Sequence, residues 1–155
     1  MVVKDFPKHC SIAEIELSYK PTIKILHLPV VIGSYGVYRL FMYSWDKGKI
    51  GFVEQFKVML LNRANRILGI CTLSTGHNNQ TPVDLKLLFG VVLKAAACSI
   101  VLAHNHPSGS VLPSRGDFAI TARIKEAASL LDILLIDHLI VSEANYFSFS
   151  DDGAL

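Results

Sequence analysis

With 155 residues, 51% of them hydrophobic, the chain can bury a continuous core and is too apolar to stay disordered. A formal net charge of +2, with lysines and arginines scattered and only Lys57, Arg63 and Arg66 loosely grouped, gives no strong support to a nucleic-acid partner. The most apolar stretches are broken by Lys94, by the histidine and proline cluster at 104–107, and by Asp132 and Asp137, so no membrane span is expected.

Residues 11–19 alternate, with one slip between Ile12 and the pair Ile15 and Leu17, and predict a strand. Residues 30–46 carry Val31, Tyr35, Tyr38, Phe41, Met42 and Trp45 at mixed spacing, which resembles a helix interrupted by Gly33 and Gly36; Asp46-Lys47-Gly48-Lys49 then turns the chain. Two strands, 52–61 and 66–74, are joined by the polar Asn62-Arg63-Ala64-Asn65 and read as a hairpin, followed by a loop over 76–80. Residues 82–97 predict a helix that begins at Pro82, with Val83, Leu87, Leu88, Val91 and Val92 on overlapping rows. The apolar run Ser99–Ala103 reads as a strand, and residues 115–131 as a helix whose Arg115, Arg123, Lys125 and Glu126 can face water. Strands 136–141 and 146–149 flank Ser142–Asn145 in a last hairpin. No repeat or second linker interrupts this order. It predicts one α/β or α+β unit over 1–155, a mixed β-sheet flanked by helices, with about the first ten residues disordered.

Cys10, Cys71 and Cys98 are odd in number and unrelated in spacing, and the last two lie in apolar segments where a free thiol acts as a small hydrophobe. With no apolar leader after Met1, a reducing cytoplasmic setting is expected rather than secretion.

The chemistry lies in His104-Asn105-His106-Pro107-Ser108-Gly109 and the following Pro113-Ser114-Arg115-Gly116-Asp117. Side chains two apart on a strand point to one side, so both imidazoles could share one ion. The ten residues between His106 and Asp117 include Pro107, Gly109 and Pro113, and such a loop can bring the next helix back to the histidines. His104, His106 and Asp117 then supply the three protein ligands of a catalytic zinc, whose fourth position holds water. Each piece has a plainer reading. Ser114-x-x-Asp117 at a helix entrance is also a capping box, and an isolated His-x-His is as readily a surface pair or a buried, hydrogen-bonded one. Read together, the pieces favour a metal.

A metal-bound water must lose its proton, so a base is needed nearby. Glu54 is the candidate. It interrupts the apolar alternate positions Ile50, Phe52, Phe56, Val58 and Leu60, where a carboxylate without a role would be costly. The competing reading turns Glu54 to solvent at the strand's edge, and Asp46, Glu14, Glu16 and Asp84 remain alternatives that spacing does not rank.

With Glu54, His104, His106, Ser114 and Asp117 assembled, the chain resembles the JAMM/MPN+ metalloprotease pattern: an upstream Glu, His-x-His, seven residues, Ser, two residues, Asp. More closely, the segments Glu54–Asn62, Ala103–Gly109, Pro113-Ser114 with Asp117, and Leu135–Ile140 are similar to those of the bacterial RadC-like family, over roughly residues 10–155. The resemblance implies a single JAMM/MPN-like domain of cytidine deaminase-like architecture. It also implies His104, His106 and Asp117 as Zn2+ ligands, Glu54 as acid and base, and Ser114 as a donor to the tetrahedral intermediate. Longer RadC-like proteins carry an N-terminal helix-hairpin-helix region that this chain is too short to include, which weakens a link to DNA repair. Asp137-His138 also matches the family, but as ligands the two are surplus, and a structural, hydrogen-bonded pair is the expected role. His9, His27 and His77 are read as ordinary solvent or loop histidines.

The expected function is zinc-dependent cleavage of an amide in a peptide or protein substrate. Two rivals are a metal-dependent nuclease, using the same activated water on a phosphodiester, and a non-catalytic interaction module. Other zinc signatures, such as His-Glu-x-x-His or Pro-Cys-x-x-Cys, are missing from the sequence.

Overall fold

A computed structural model describes residues 28–76 and 83–155. The expected strand at 11–19, Cys10, Glu14, Glu16, His9, His27, His77 and the helix start at Pro82 lie outside the described residues. Helix α1 (Gly33–Ser44) precedes the hairpin of β1 (Glu54–Leu61) and β2 (Ile67–Gly76); α2 (Leu85–Lys94) leads into β3 (Ser99–Asn105), α3 (Arg115–Leu130), β4 (Leu134–Val141) and β5 (Tyr146–Ser148). The five strands form one sheet in the order β2-β1-β3-β4-β5. Strand β3 is antiparallel to β1 and parallel to β4, so the sheet is mixed, as expected, and α3 is the crossover that a parallel pair requires.

Strand β3 is central and buried along its whole length, which is why its sequence is a continuous apolar run rather than an alternating one. Ile100 and Leu102 pack with Leu88, Phe89, Val92, Ile124 and Ala128 from α2 and α3. Val101 and Ala103 pack on the other face with Val37 and Phe41 of α1 and the adjoining Trp45. Burial of each such aliphatic side chain contributes about 1.5–3 kcal/mol, so β3 is held firmly on both faces. Its last residues, and therefore the first histidine, inherit that rigidity.

Several local expectations are corrected. Helix α1 runs through Gly36 without interruption, because the burial of Val37 and Phe41 outweighs a glycine's cost of about 1 kcal/mol. Gly33, at φ +66°, is its first residue, a conformation in which a side chain would be strained. Strand β1 starts at Glu54 rather than 52. The preceding backbone is used in turns, with Ile50 N–H donating to Asp46 O at 3.2 Å and Phe52 N–H to Lys49 O at 3.0 Å. Ile50 is consequently buried against the α1 side and Phe52 is 77% exposed, so neither shares a strand face with Glu54. Helix α2 is shorter than expected, starting where Asp84 accepts the Lys86 N–H at 2.8 Å. Cys98 is exposed rather than packed, its backbone engaged by Leu61 and Leu134 while its thiol faces out. Among the described residues, no helix is long and apolar enough to cross a membrane.

Candidate metal centre

Alternation along β3 sends Ile100, Leu102 and His104 toward α3, and Val101, Ala103 and Asn105 toward α1. His104 is 1% exposed and lies parallel to the Phe56 ring, its partner on β1, at a centroid distance of 5.8 Å. His106 follows just beyond the strand, on the same side. The two Nε2 atoms are 3.1 Å apart. His106 Nδ1 lies 3.0 Å from the Ser110 carbonyl, which can only accept, so Nδ1 carries the hydrogen and Nε2 of the neutral ring is a lone pair. Gly109, at φ +78°, closes the intervening turn by donating its N–H to His106 O at 2.9 Å.

The loop then enters α3 through Ser114. Its hydroxyl oxygen accepts the Asp117 N–H at 3.2 Å, and Asp117 Oδ2 accepts the Ser114 N–H at 2.6 Å, a complete capping box. The second carboxylate oxygen, Oδ1, lies 3.1 Å from His104 Nε2, and Oδ2 lies 3.7 Å from His106 Nε2. The capping role and the approach to the histidines therefore coexist, since a carboxylate has enough lone pairs for both. Burial alone would raise the Asp117 pKa. The His104 hydrogen bond and charge, with the Ser114 hydroxyl and N–H, hold it well below the ordinary carboxylate value instead.

Among the described residues, these three form a group whose atoms are close enough to hold a metal ion, all within 4.8 Å of one another. The fit is chemical as well as geometric. A tetrahedral ion with ligands at zinc distances separates them by about 3.4 Å, and the observed separations of 3.1, 3.1 and 3.7 Å straddle that value. Imidazole nitrogens and a carboxylate converging this closely would repel one another unless a cation or a proton lay among them. The cluster is buried behind and open in front, with His104 1% and His106 20% exposed.

Glu54 is the half-buried first residue of β1. Phe56 pairs with His104, and carrying that antiparallel register two residues further sets Glu54 opposite His106. Both line a hollow of about 630 Å³ with Gly51, Phe52, Pro107 and Ser108. A second hollow of about 370 Å³ shares Gly51, His106, Pro107 and Ser108 and continues to Ser142, Glu143 and Ala144. Asp46 instead sits in an exposed turn beside Lys49, and Asp84 caps α2; neither lines this groove.

Two contributors, Asn105 and Thr121, escaped the sequence reading, and His138 was expected there only as a structural partner of Asp137. Asn105, between the histidines but on the opposite face, donates to Ile50 O at 2.6 Å and Val53 O at 3.0 Å and accepts from Gln55 N at 2.8 Å, fixing the turn that carries Glu54. Thr121, one helical turn after Asp117, donates to its carbonyl at 2.5 Å. Its i+4 spacing from Asp117 was the available signal. His138 is fully buried, with Nε2 2.9 Å from His104 Nδ1 and Nδ1 2.6 Å from the Thr121 hydroxyl. Burial first, and the charge of His104 second, hold its pKa well below the ordinary histidine value. Asp137 faces away, accepting from Ser148 Oγ at 2.6 Å and from the backbone of His138 and Ser150. Both residues are thus buried and hydrogen-bonded, but they serve different parts of the fold.

The chain is similar to several known bacterial proteins. A UPF0758 protein of Flavobacterium johnsoniae is 43% identical over 100 residues, covering 64% of this chain and 44% of that protein. A UPF0758 protein of Porphyromonas gingivalis is 43% identical over 103 residues, covering 66% and 45%. The UPF0758 protein YeeS of Escherichia coli K12 is 44% identical over 102 residues, covering 66% of this chain and 69% of that protein. The matched part thus spans less than half the length of the first two relatives. The family model described as the RadC-like JAB domain matches residues 34–154, and the chain belongs to the RadC-like JAB-domain family.

Proposed function

We propose that the protein is a zinc-dependent hydrolase of JAMM type that cleaves an amide bond, a metallopeptidase or isopeptidase-like enzyme acting in the cytoplasm on a peptide or protein substrate. The observation that carries this reading is the convergence of His104, His106 and Asp117 at tetrahedral spacing beside a groove that also holds Glu54. His104, His106 and Asp117 would hold the ion, which when bound lowers the pKa of water and polarises a carbonyl. Glu54 would accept the proton of the attacking water on its carboxylate and return it to the leaving nitrogen. Ser114 donates to the developing oxyanion; its capping bond uses an oxygen lone pair, which leaves the hydroxyl hydrogen for this purpose.

The groove favours a peptide over a nucleic acid. Among the described residues, the ionisable side chains lining its two hollows are Glu54, His106 and Glu143, so a phosphodiester backbone would meet carboxylates there where it needs lysines or arginines. Purified protein is expected to contain stoichiometric zinc. Glu54→Gln should keep that zinc while cleavage of a peptide library falls by about 10²–10⁴-fold. Ser114→Ala should slow cleavage by about 10²–10³-fold and remove about 1 kcal/mol of capping. Undiminished cleavage by Glu54→Gln would end its assignment as the base. Cleavage of single-stranded, duplex or branched DNA that disappears in His104→Ala would replace the amide reading with the nuclease one.

A further inference from the structure

The hydrogen-bond chain behind His104 has only one consistent direction. The Asp117 carbonyl can only accept, so the single hydroxyl hydrogen of Thr121 is spent on it at 2.5 Å. Thr121 Oγ1 must then accept from His138, 2.6 Å away, which places the hydrogen of that ring on Nδ1. His138 is fully buried, and its side-chain partners are a hydroxyl and another imidazole, so it is neutral and its Nε2 is a lone pair. That lone pair, 2.9 Å from His104 Nδ1, requires a hydrogen there. With Nδ1 so occupied, Nε2 is the nitrogen left to bind an ion once its own hydrogen is displaced, and it lies 3.1 Å from both His106 Nε2 and Asp117 Oδ1.

We propose that His138 and Thr121 are positioning residues that lock His104 in the metal-binding tautomer and tie it to the backbone of Asp117, so that two ligands are oriented by one closed ring of contacts. The inference rests on the zinc reading of the cluster. The ring is built from three elements: β3 supplies His104, β4 supplies His138, and α3 supplies both Asp117 and Thr121. A β-bulge makes it possible. The register shifts between Ile100 and Val101, so that Leu135 packs on the α3 side, Asp137 pairs with Val101, and His138 pairs with Leu102 and also faces α3. Without the shift, alternation from Leu135 would send His138 to the opposite face. A family of acceptors aligned behind a ligating imidazole is the arrangement that raises its basicity and fixes its orientation in metal sites generally.

The test compares the whole chain with Thr121→Val, which removes the hydroxyl at nearly constant volume, and Thr121→Ser, which restores it. Zinc affinity is read by competition with a chromophoric chelator, and the hydrogens on Nδ1 and Nε2 of each imidazole by nitrogen NMR of the metal-free protein. Thr121→Val should weaken zinc binding about 10–100-fold and mix the tautomers of His104 and His138, while Thr121→Ser should match the parent protein in both. A merely structural threonine would lower thermal stability in Thr121→Val and leave affinity and tautomer unchanged, which would overturn the proposal. So would a His104 Nδ1 that carries no hydrogen in the parent protein. Failure of the parent to bind zinc would instead refute the metal reading, with the spectrum alone then deciding whether the relay exists.

Discussion

His104 and His106 offer the same ring nitrogen to the same point, yet their surroundings differ. His104 sits in the sheet's core with Phe56 on one face, His138 behind it, and 1% of its side chain exposed. His106 lies past the strand end, held at Nδ1 by a loop carbonyl, and is 20% exposed on the groove. The inner histidine is therefore part of the folding core, whereas the outer one faces the groove. An ion held between them would be anchored by the interior and approached from the loop.

The largest expected effect separates these two roles. Measured by urea unfolding of the zinc-free proteins, His104→Ala should cost about 3–5 kcal/mol, through a cavity and an orphaned His138 acceptor. His106→Ala should cost no more than about 1 kcal/mol. Both should lose zinc by metal analysis. Equal destabilisation by the two would break the contrast between core and groove.

Asn105→Ala sharpens it from the other face. It strips partners from Ile50 O, Val53 O and Gln55 N, so unfolding free energy should fall by about 2 kcal/mol or more. Zinc content should survive, because the three ligands are untouched, while cleavage should drop by about 10–10²-fold as Glu54 loses its mount. Zinc loss in this variant would mean that the turn supports the ligands rather than the base.

The smallest effect is one of pH. The folded protein keeps His138 neutral, with a pKa well below the ordinary 6.5, and the ionisable groups packed around it are His104 and His106 from the β3 end and Asp117 from α3. Its contribution to stability is complete above the unfolded value and is lost as pH falls below it, because only the unfolded chain takes up that proton. The slope from this one group is up to about 1.4 kcal/mol per pH unit. Asp117, whose folded pKa is depressed, adds a further loss only as pH falls below the ordinary 3.8. Urea midpoints of the zinc-free protein between pH 7 and 5 should show the first loss, and His138→Gln should reduce that slope. An unchanged slope in the variant would assign the acid sensitivity elsewhere.

Much of the site was legible because its logic is local. The two-residue spacing in 104–106 and the Ser114-x-x-Asp117 step carry their geometry with them: strand alternation aligns the histidines, and the capping box seats the aspartate at a helix entrance. The helix over 115–131 and both hairpins were likewise readable from short-range periodicity and turn residues, and they stand within a residue or two of expectation. The turn at 46–53 was not, because Ile50 and Phe52 mimic strand alternation while their backbone is bound to Asp46 and Lys49. Nor was Cys98, whose apolar neighbours in sequence gave no hint that its own side chain faces outward.

The sequence by itself determined the types and spacing of the residues that cluster, and the strand and helix that carry them, since the periodicity of an element follows from the dihedrals of neighbouring residues. Only the tertiary structure decided that Glu54 lies across from His106, that Asn105 pins the intervening turn, and that a bulge swings His138 behind His104. Cross-strand register and the loss of water around a side chain are set by residues far away along the chain, and no local pattern encodes them.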